Sequence, residues 1–173
     1  QRLVAAISKG ADDLKLTGER PVVERIIAEI QKAFGDLKLE WHEFTNCGVR
    51  HRQNPQDKSV TLDQIDYAKN LRAIAHDELR TSSSEAKCGP ELHKLYMSLL
   101  GAVAYLYLTR VDVLVFISAC QRWSHSPSII HVKRLNHLLR WIQRNPKMLS
   151  YKPMDANGHL SVVSDAAFKK ETE

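Results

Sequence analysis

The apolar residues of this chain fall into runs whose period changes along its length. Leu3-Val4-Ala5-Ala6-Ile7 and the pair Leu14 and Leu16 flank Lys9-Gly10-Ala11-Asp12-Asp13. Two apolar runs around a turn of Gly and Asp predict a β-hairpin with Asp12 and Asp13 at its tip. Val22, Val23, Ile26, Ile27, Ile30 and Phe34 then recur at helical spacing, with Thr17 and Gly18 as caps, Pro21 in the first turn and Gly35 at the end. Leu37 to His42 alternates apolar and polar, the period of a half-buried strand, and Phe44 to Gln53 predicts a further strand or hairpin. Asn54 to Lys58 reads as a turn and Ser59 to Leu62 as a short strand, after which Thr61-x-x-Gln64 forms a capping box for a helix carrying Ile65, Ala68 and Leu71.

The second half is helical in pattern. Thr81 to Pro90 is small and polar and ends in Gly and Pro, which predicts a linker over 77–90. Leu92, Leu95, Leu99, Val103 and Leu106 make the stripe of one helix, whose Gly101 implies close packing of a neighbour. A second helix, Val111 to Trp123, is apolar almost all round and is expected to be buried. A third, Ser128 to Asn145, buries Leu135, Leu138, Leu139 and Ile142. Met148 to Tyr151, a turn at Asp155-Ala156-Asn157-Gly158 and the run Leu160 to Phe168 read as strand, turn, strand. The class is α+β: a partial β-sheet with one packing helix, then a helical bundle and a short C-terminal β-hairpin. The segments are 1–76, the linker 77–90, the helical 91–147, and 148–173.

Composition narrows the function classes. A chain of 173 residues with 43% hydrophobic and 26% charged positions has the make-up of a soluble globular protein. Lys and Arg number 25 against 20 Asp and Glu, a net charge of +5 that favours an anionic partner such as nucleic acid. Three widely spaced cysteines, Cys47, Cys88 and Cys120, argue against a secreted disulfide scaffold and for a reducing, intracellular compartment. A zinc site would have to join Cys47-x3-His51 to Cys88-x4-His93 without any Cys-x-x-Cys pair, and buried small hydrophobes explain Cys47 and Cys120 as well. The apolar run Leu99 to Leu108 is too short for a bilayer, so no membrane partner is expected. Gln1 leads into a strand with no leader pattern, which suggests a chain cut from something longer.

Three sets of residues carry candidate chemistry. Asp12 and Asp13, two carboxylates on a rigid turn, suit a magnesium-dependent phosphoryl-transfer centre, because hard cations take oxygen ligands; ordinary turn chemistry also places Asp there. Arg50 and Arg52 share one face of a strand and suit phosphate oxygens, or else protect a sheet edge. Lys133, His137, Arg140, Arg144 and Lys147 form a basic stripe on the third helix with no carboxylate between, either a solvated face or a phosphate-backbone surface.

The order of these features resembles the reverse transcriptase of copia-like LTR retrotransposon Pol polyproteins. The resemblance runs from Ala11-Asp12-Asp13-Leu14 through Asn46-Cys47-Gly48-Val49-Arg50 and Val60-x-Leu62-x-Gln64-x-x-Tyr67. It continues in Tyr96-x-Ser98-x-x-Gly101-x-x-x-Tyr105-Leu106-x-x-Thr109-Arg110-x-Asp112 and in His131-x-Lys133-Arg134-Leu135. Gly10 stands where that family commonly has Tyr, and Val111 where it has proline. The resemblance implies a partial palm over 1–76, a helical thumb or connection over 91–147, and the start of a ribonuclease H domain over 148–173. There Ser164-Asp165-Ala166 matches the signature that supplies the first metal-binding Asp. The implied activity is RNA-directed DNA synthesis by metal-dependent nucleotidyl transfer with Mg2+ or Mn2+. Asp12 and Asp13 would be its catalytic metal ligands and Asp165 a further metal ligand. Its partners would be an RNA template, a DNA primer and the rest of the Pol polyprotein, in a cytoplasmic particle or the nucleus. Such a fragment would be inactive alone. The competing expectation is a noncatalytic nucleic-acid-binding or structural fragment.

Overall fold

The longest helix among the described residues, α6 (Ile129–Arg144), buries Ile129, Val132, Leu135, Leu139 and Ile142 along one stripe, and the helical core is assembled on it. The computed structural model describes residues 4–10 and 13–153. Against that stripe lie α4 (Pro90–Ala104), through Leu92, Tyr96, Leu99 and Val103, and α5 (Leu114–Gln121), through Ile117 and Cys120. Between α4 and α5 the chain makes two 3-10 turns, Tyr105–Leu108 and Val111–Val113, which contribute Leu106 and Val113 to the same core. The Tyr96 hydroxyl donates to the Cys120 carbonyl at 2.8 Å, which satisfies the one polar atom of a fully buried ring.

The sheet elements precede this bundle. β1 (Ala5–Lys9) and β2 (Leu14–Gly18) pair antiparallel with Ala5 opposite Gly18 and Lys9 opposite Leu14, as the apolar runs predict. Gly18 closes that ladder because a Cβ there would sit 2.6 Å from the Val4 carbonyl oxygen. α1 (Arg20–Phe34) follows, with Pro21 in its first turn and Gly35 after its last residue. Of its six large apolar residues only Val23 and Ile27 are buried, and Phe34 is 83% exposed, since a two-stranded sheet offers a narrow surface.

A four-stranded antiparallel sheet comes next, β3 (Glu43–Asn46), β4 (Val49–Gln53), β5 (Val60–Asp63) and, from the far end of the chain, β6 (Leu149–Tyr151), in that order. The β3 to β4 turn has positive φ at both Cys47 (47°) and Gly48 (69°), the twist-compatible two-residue hairpin geometry. Tyr105 ties this turn to the bundle by donating its hydroxyl to the Cys47 carbonyl, and Tyr67, edge-on to Tyr105, donates to the Ala102 carbonyl at 3.1 Å.

Helix α2 (Ile65–Asn70) and the chain after it are sewn to α6 by two side-chain amides, the buried Asn136 and the half-buried Gln143. Asn136 accepts the Ile74 N–H and donates to the Ile74 carbonyl, both at 2.8 Å, and Gln143 donates to the Ala68 and Leu71 carbonyls. Thr109 donates to Gln64, whose own amide reaches the Tyr105 carbonyl. Arg110, 4% exposed, is held by Asp112 in a two-pronged pair at 2.9 and 3.1 Å, so the Thr109 to Asp112 segment is a structural lock.

The mixed class is α+β as expected, and several finer expectations are corrected. Leu37 to His42 forms no strand: His42 takes φ of 63° and turns the chain before β3 begins. Glu19, following Gly18, is the N-cap of α1. Thr61 is paired within β5, and the first N–H of α2 is accepted by Asp63 at 3.1 Å, so Thr61 caps nothing. Residues in 77–90 include α3 (Glu78–Thr81), and Cys88 and Ala86 hydrogen-bond to Pro127 and Ile129 at the start of α6. Nothing lies within 4 Å of a Cβ at Gly101, so no helix packs closely there. The stretch Val111 to Trp123 is not buried all round, since Val111, Leu114, Val115, Phe116 and Trp123 are exposed. Among the described residues no helix is long and apolar enough to cross a membrane. The turn at Asp155 to Gly158 and the run Leu160 to Phe168 lie outside the described residues.

Candidate functional site

The exposed apolar surface of α5 becomes intelligible where it meets α6. Helical spacing puts His131, Arg134, Leu138 and Trp141 on one face, at i, i+3, i+7 and i+10. That face and the C-terminal part of α5 enclose a groove of about 590 Å3 lined by Phe116, Trp123, His131, Arg134, His137 and Trp141 among others. Its walls are mostly carbon, and its polar atoms come from two arginines, Arg122 and Arg134, and two histidines.

Both indoles are braced from one side. The ring of His131 stacks on Trp123 with centroids 4.5 Å apart and planes 18° from parallel. His131 is itself fixed, because its Nδ1 accepts the Ser128 N–H at 2.9 Å in a capping-box arrangement at the start of α6. Burial, with Arg134 and Lys87 nearby, lowers its pKa below the ordinary 6.5, so at neutral pH the ring is uncharged and carries its proton on Nε2. At the other end the Arg110 guanidinium lies 5.6 Å from the centre of the Trp141 ring. Trp123 is 45% and Trp141 40% exposed, so each braced ring still presents surface to the groove.

The basic stripe borders this groove. Lys133, His137, Arg140 and Arg144 are all exposed on α6, and His137 belongs to both stripe and groove. Lys133, Arg140 and Arg144 have no carboxylate partner among the described residues, whereas Lys147 pairs with Asp112 at 3.2 Å. That contact and the Arg110 hydrogen bond, the larger influence, hold the Asp112 carboxyl below its ordinary pKa.

The other predicted residues lie elsewhere. Asp12 and Asp165 fall outside the described residues. Asp13 is exposed and lines a separate cleft of about 320 Å3 with Lys15, Lys38, Glu40 and Trp41; no residue of α6 takes part in it. The structure therefore does not bring Asp13 to the basic stripe. Arg50 is engaged by Glu43 across the hairpin, at 2.9 Å from Nε, and Arg52 by the buried Asp63 at 3.0 Å. Both arginines thus have sheet partners. His51, between them, stacks on Phe44 and accepts from the Lys15 ammonium at 3.2 Å, so burial first and that cation second lower its pKa.

Among the described residues no three His, Cys, Asp or Glu side chains cluster as metal donors. Sequence reasoning passed over Phe116, Arg122, Trp123, His131 and Trp141 as groove residues. The available signal was the spacing of Trp141, four residues after His137 and seven after Arg134.

In comparisons with known proteins, no family model matches the chain and no solved structure matches it. A curated protein that does match is a GTP 3',8-cyclase of Synechocystis sp. (strain ATCC 27184 / PCC 6803 / Kazusa), 25% identical over 147 residues, covering 78% of this chain. The chain spans 43% of that cyclase's length. This similarity overturns the resemblance to copia-like retrotransposon polyproteins. The reverse transcriptase identity, the RNA-directed polymerase activity and the retrotransposon and ribonuclease H descriptions that followed from it are corrected, because the matched enzyme is a cyclase. The Mg2+ or Mn2+ requirement was implied by the polymerase chemistry and is corrected with it.

Proposed function

We propose that this chain binds a nucleoside triphosphate, with guanosine triphosphate the first to test, in the groove between α5 and α6. The observation that carries this reading is the Trp123 and His131 stack set beside Arg134 in a groove whose walls are mostly carbon. A nucleotide is flat and aromatic at one end and anionic at the other. A braced indole gains stacking energy from any base at little ordering cost, and guanidinium groups match phosphate oxygens in charge and geometry. The volume of about 590 Å3 falls in the range of small-molecule sites. The similarity to a protein named for GTP supports guanosine as the nucleoside.

Calorimetric titration with GTP tests the proposal. One saturating site per chain is expected. Arg134→Gln, on an exposed position, should weaken binding by about 10-fold or more, as loss of a charge-assisted contact of about 1.5–3 kcal/mol requires. No heat up to millimolar GTP, or an unchanged affinity in that variant, contradicts it.

The stripe itself favours a second reading, contact with a nucleic-acid backbone, because Lys133, Arg140 and Arg144 are exposed and unpaired among the described residues. Its test is the salt dependence of affinity for an RNA–DNA duplex, which Arg140→Glu with Arg144→Glu should flatten. An unchanged slope removes the stripe as a binding face.

A further inference from the structure

The groove has two aromatic platforms, one at each end. Trp123 is stacked with His131, near the start of α6, while Trp141 projects from the last third of the same helix. His131 and Trp141 are ten residues apart, and at about 1.5 Å of rise per residue that is about 15 Å along the axis. The polar side chains between them, the Arg134 guanidinium and the His137 imidazole, come about 4.5 and 9 Å from the His131 end by the same rise. The order along the groove is aromatic, guanidinium, imidazole, aromatic. Each indole is braced on one side, by His131 or by Arg110, and about two-fifths of each is open.

We infer that the groove is built for a dinucleotide whose two nucleosides are joined 5′ to 5′ through phosphates, one base on Trp123, the other on Trp141, and the phosphates over Arg134 and His137. This rests on the groove being a nucleotide site. A mononucleotide brings one base and leaves the second platform uncovered. A 3′,5′-linked pair brings two, but neighbouring stacked bases lie only about 3.4 Å apart. Two nucleosides linked through a 5′,5′-polyphosphate separate their bases by the length of two riboses and the phosphate chain, and they place the negative charge at the middle. The Arg134 guanidinium and the His137 imidazole lie in that stretch, and Arg122 adds a second guanidinium to the lining beside Trp123. Joining two binding ends on one ligand also makes the second contact intramolecular, so affinity rises without any new side chain.

The experiment compares three probes on the full chain: GTP, the 3′,5′-linked dinucleotide GpG, and diguanosine 5′,5′-triphosphate. The expected result is one diguanosine triphosphate per chain, bound at least 10-fold tighter than GTP or GpG. Its affinity should fall about 10-fold or more in Trp123→Leu and again in Trp141→Leu, since stacking is worth about 1–3 kcal/mol per base. Far-ultraviolet dichroism checks that each variant is folded, and Arg134→Gln provides a variant that leaves both indoles in place. Two results overturn the inference while leaving the mononucleotide reading standing: diguanosine triphosphate binding no tighter than GTP, or its affinity responding to only one of the two indoles. If none of the three probes binds, the nucleotide reading of the groove falls and the dinucleotide inference with it.

Discussion

Single residues in this chain are fixed by neighbours that leave them little choice. Gly18 has backbone on its empty side, with the Val4 carbonyl oxygen at 2.6 Å and the Ala5 Cα at 2.7 Å from where a Cβ would lie. Neither can move without opening the β1 to β2 ladder. Gly18→Ala should therefore destabilise by about 1–3 kcal/mol, read as a lower urea midpoint at unchanged slope, and an unchanged midpoint would refute the close approach. Asn136 makes the opposite kind of fixed point, because its amide satisfies both polar atoms of the Ile74 backbone inside the core. Replacing it by Leu keeps the volume and strands one buried donor and one buried acceptor. A cost of about 2–4 kcal/mol is expected in chemical denaturation, and a neutral result would contradict the clamp.

At the scale of elements, α6 was legible and α5 was not. The stripe Leu135, Leu138, Leu139 and Ile142 has a helical period with polar residues opposite, and each of the four is buried as that period demands. The β1 to β2 hairpin was readable for the same reason, since period and turn residues agreed, while Phe44 to Gln53 left strand and hairpin open and forms the β3 to β4 hairpin. The α5 stretch has no polar face, and pattern alone cannot distinguish a helix packed on all sides from one whose apolar side lines an open groove. Phe116 and Trp123 were therefore assigned to a core when they are exposed. Leu37 to His42 failed differently: alternation was present, but the positive φ of His42 is a backbone property that alternation does not report. The pair Asp12 and Asp13 drew attention as chemistry because two acids are conspicuous in a sequence. The described one, Asp13, keeps company with Lys15 and Lys38 in a cleft that shares no lining residue with the α6 groove. At the start of α6, His131 occupies the capping-box position usually held by Glu or Gln and also braces Trp123. His131→Ala should lower the thermal midpoint through the lost cap, worth about 0.5–2 kcal/mol, and shift Trp123 emission toward that of a freer indole. A drop in stability with unaltered emission would separate the cap from the stack and contradict the bracing.

Across the whole molecule, two histidines with lowered pKa values make stability depend on pH. His51, depressed by burial and by Lys15, and His131, depressed by burial and by Arg134, both hold fewer protons folded than unfolded below the ordinary value of 6.5. Their contribution is complete above about pH 6.5 and is lost as pH falls from there through the folded pKa values. The carboxylate of Asp112, depressed chiefly by Arg110, loses its contribution only below its ordinary 3.8. Thermal midpoints should thus be level between about pH 7 and 8 and decline between about pH 6.5 and 5, with His51→Phe reducing the decline. A midpoint that holds level to pH 5, or a decline untouched by that substitution, would contradict this assignment. The fold class was visible in the sequence because it follows from periods. The groove was not, because it is made by two helices meeting, and neither helix alone carries its signature.

The most direct measurement uses the three tryptophans, Trp41, Trp123 and Trp141, whose indole N–H resonances are separately observable by NMR in a labelled chain. Trp41 lines the cleft near Asp13 and serves as an internal control. Titration with GTP should shift the Trp123 or Trp141 resonance, or both, in a saturable way while Trp41 stays in place. Shifts confined to Trp41, or none at any of the three, would contradict a nucleotide site between α5 and α6.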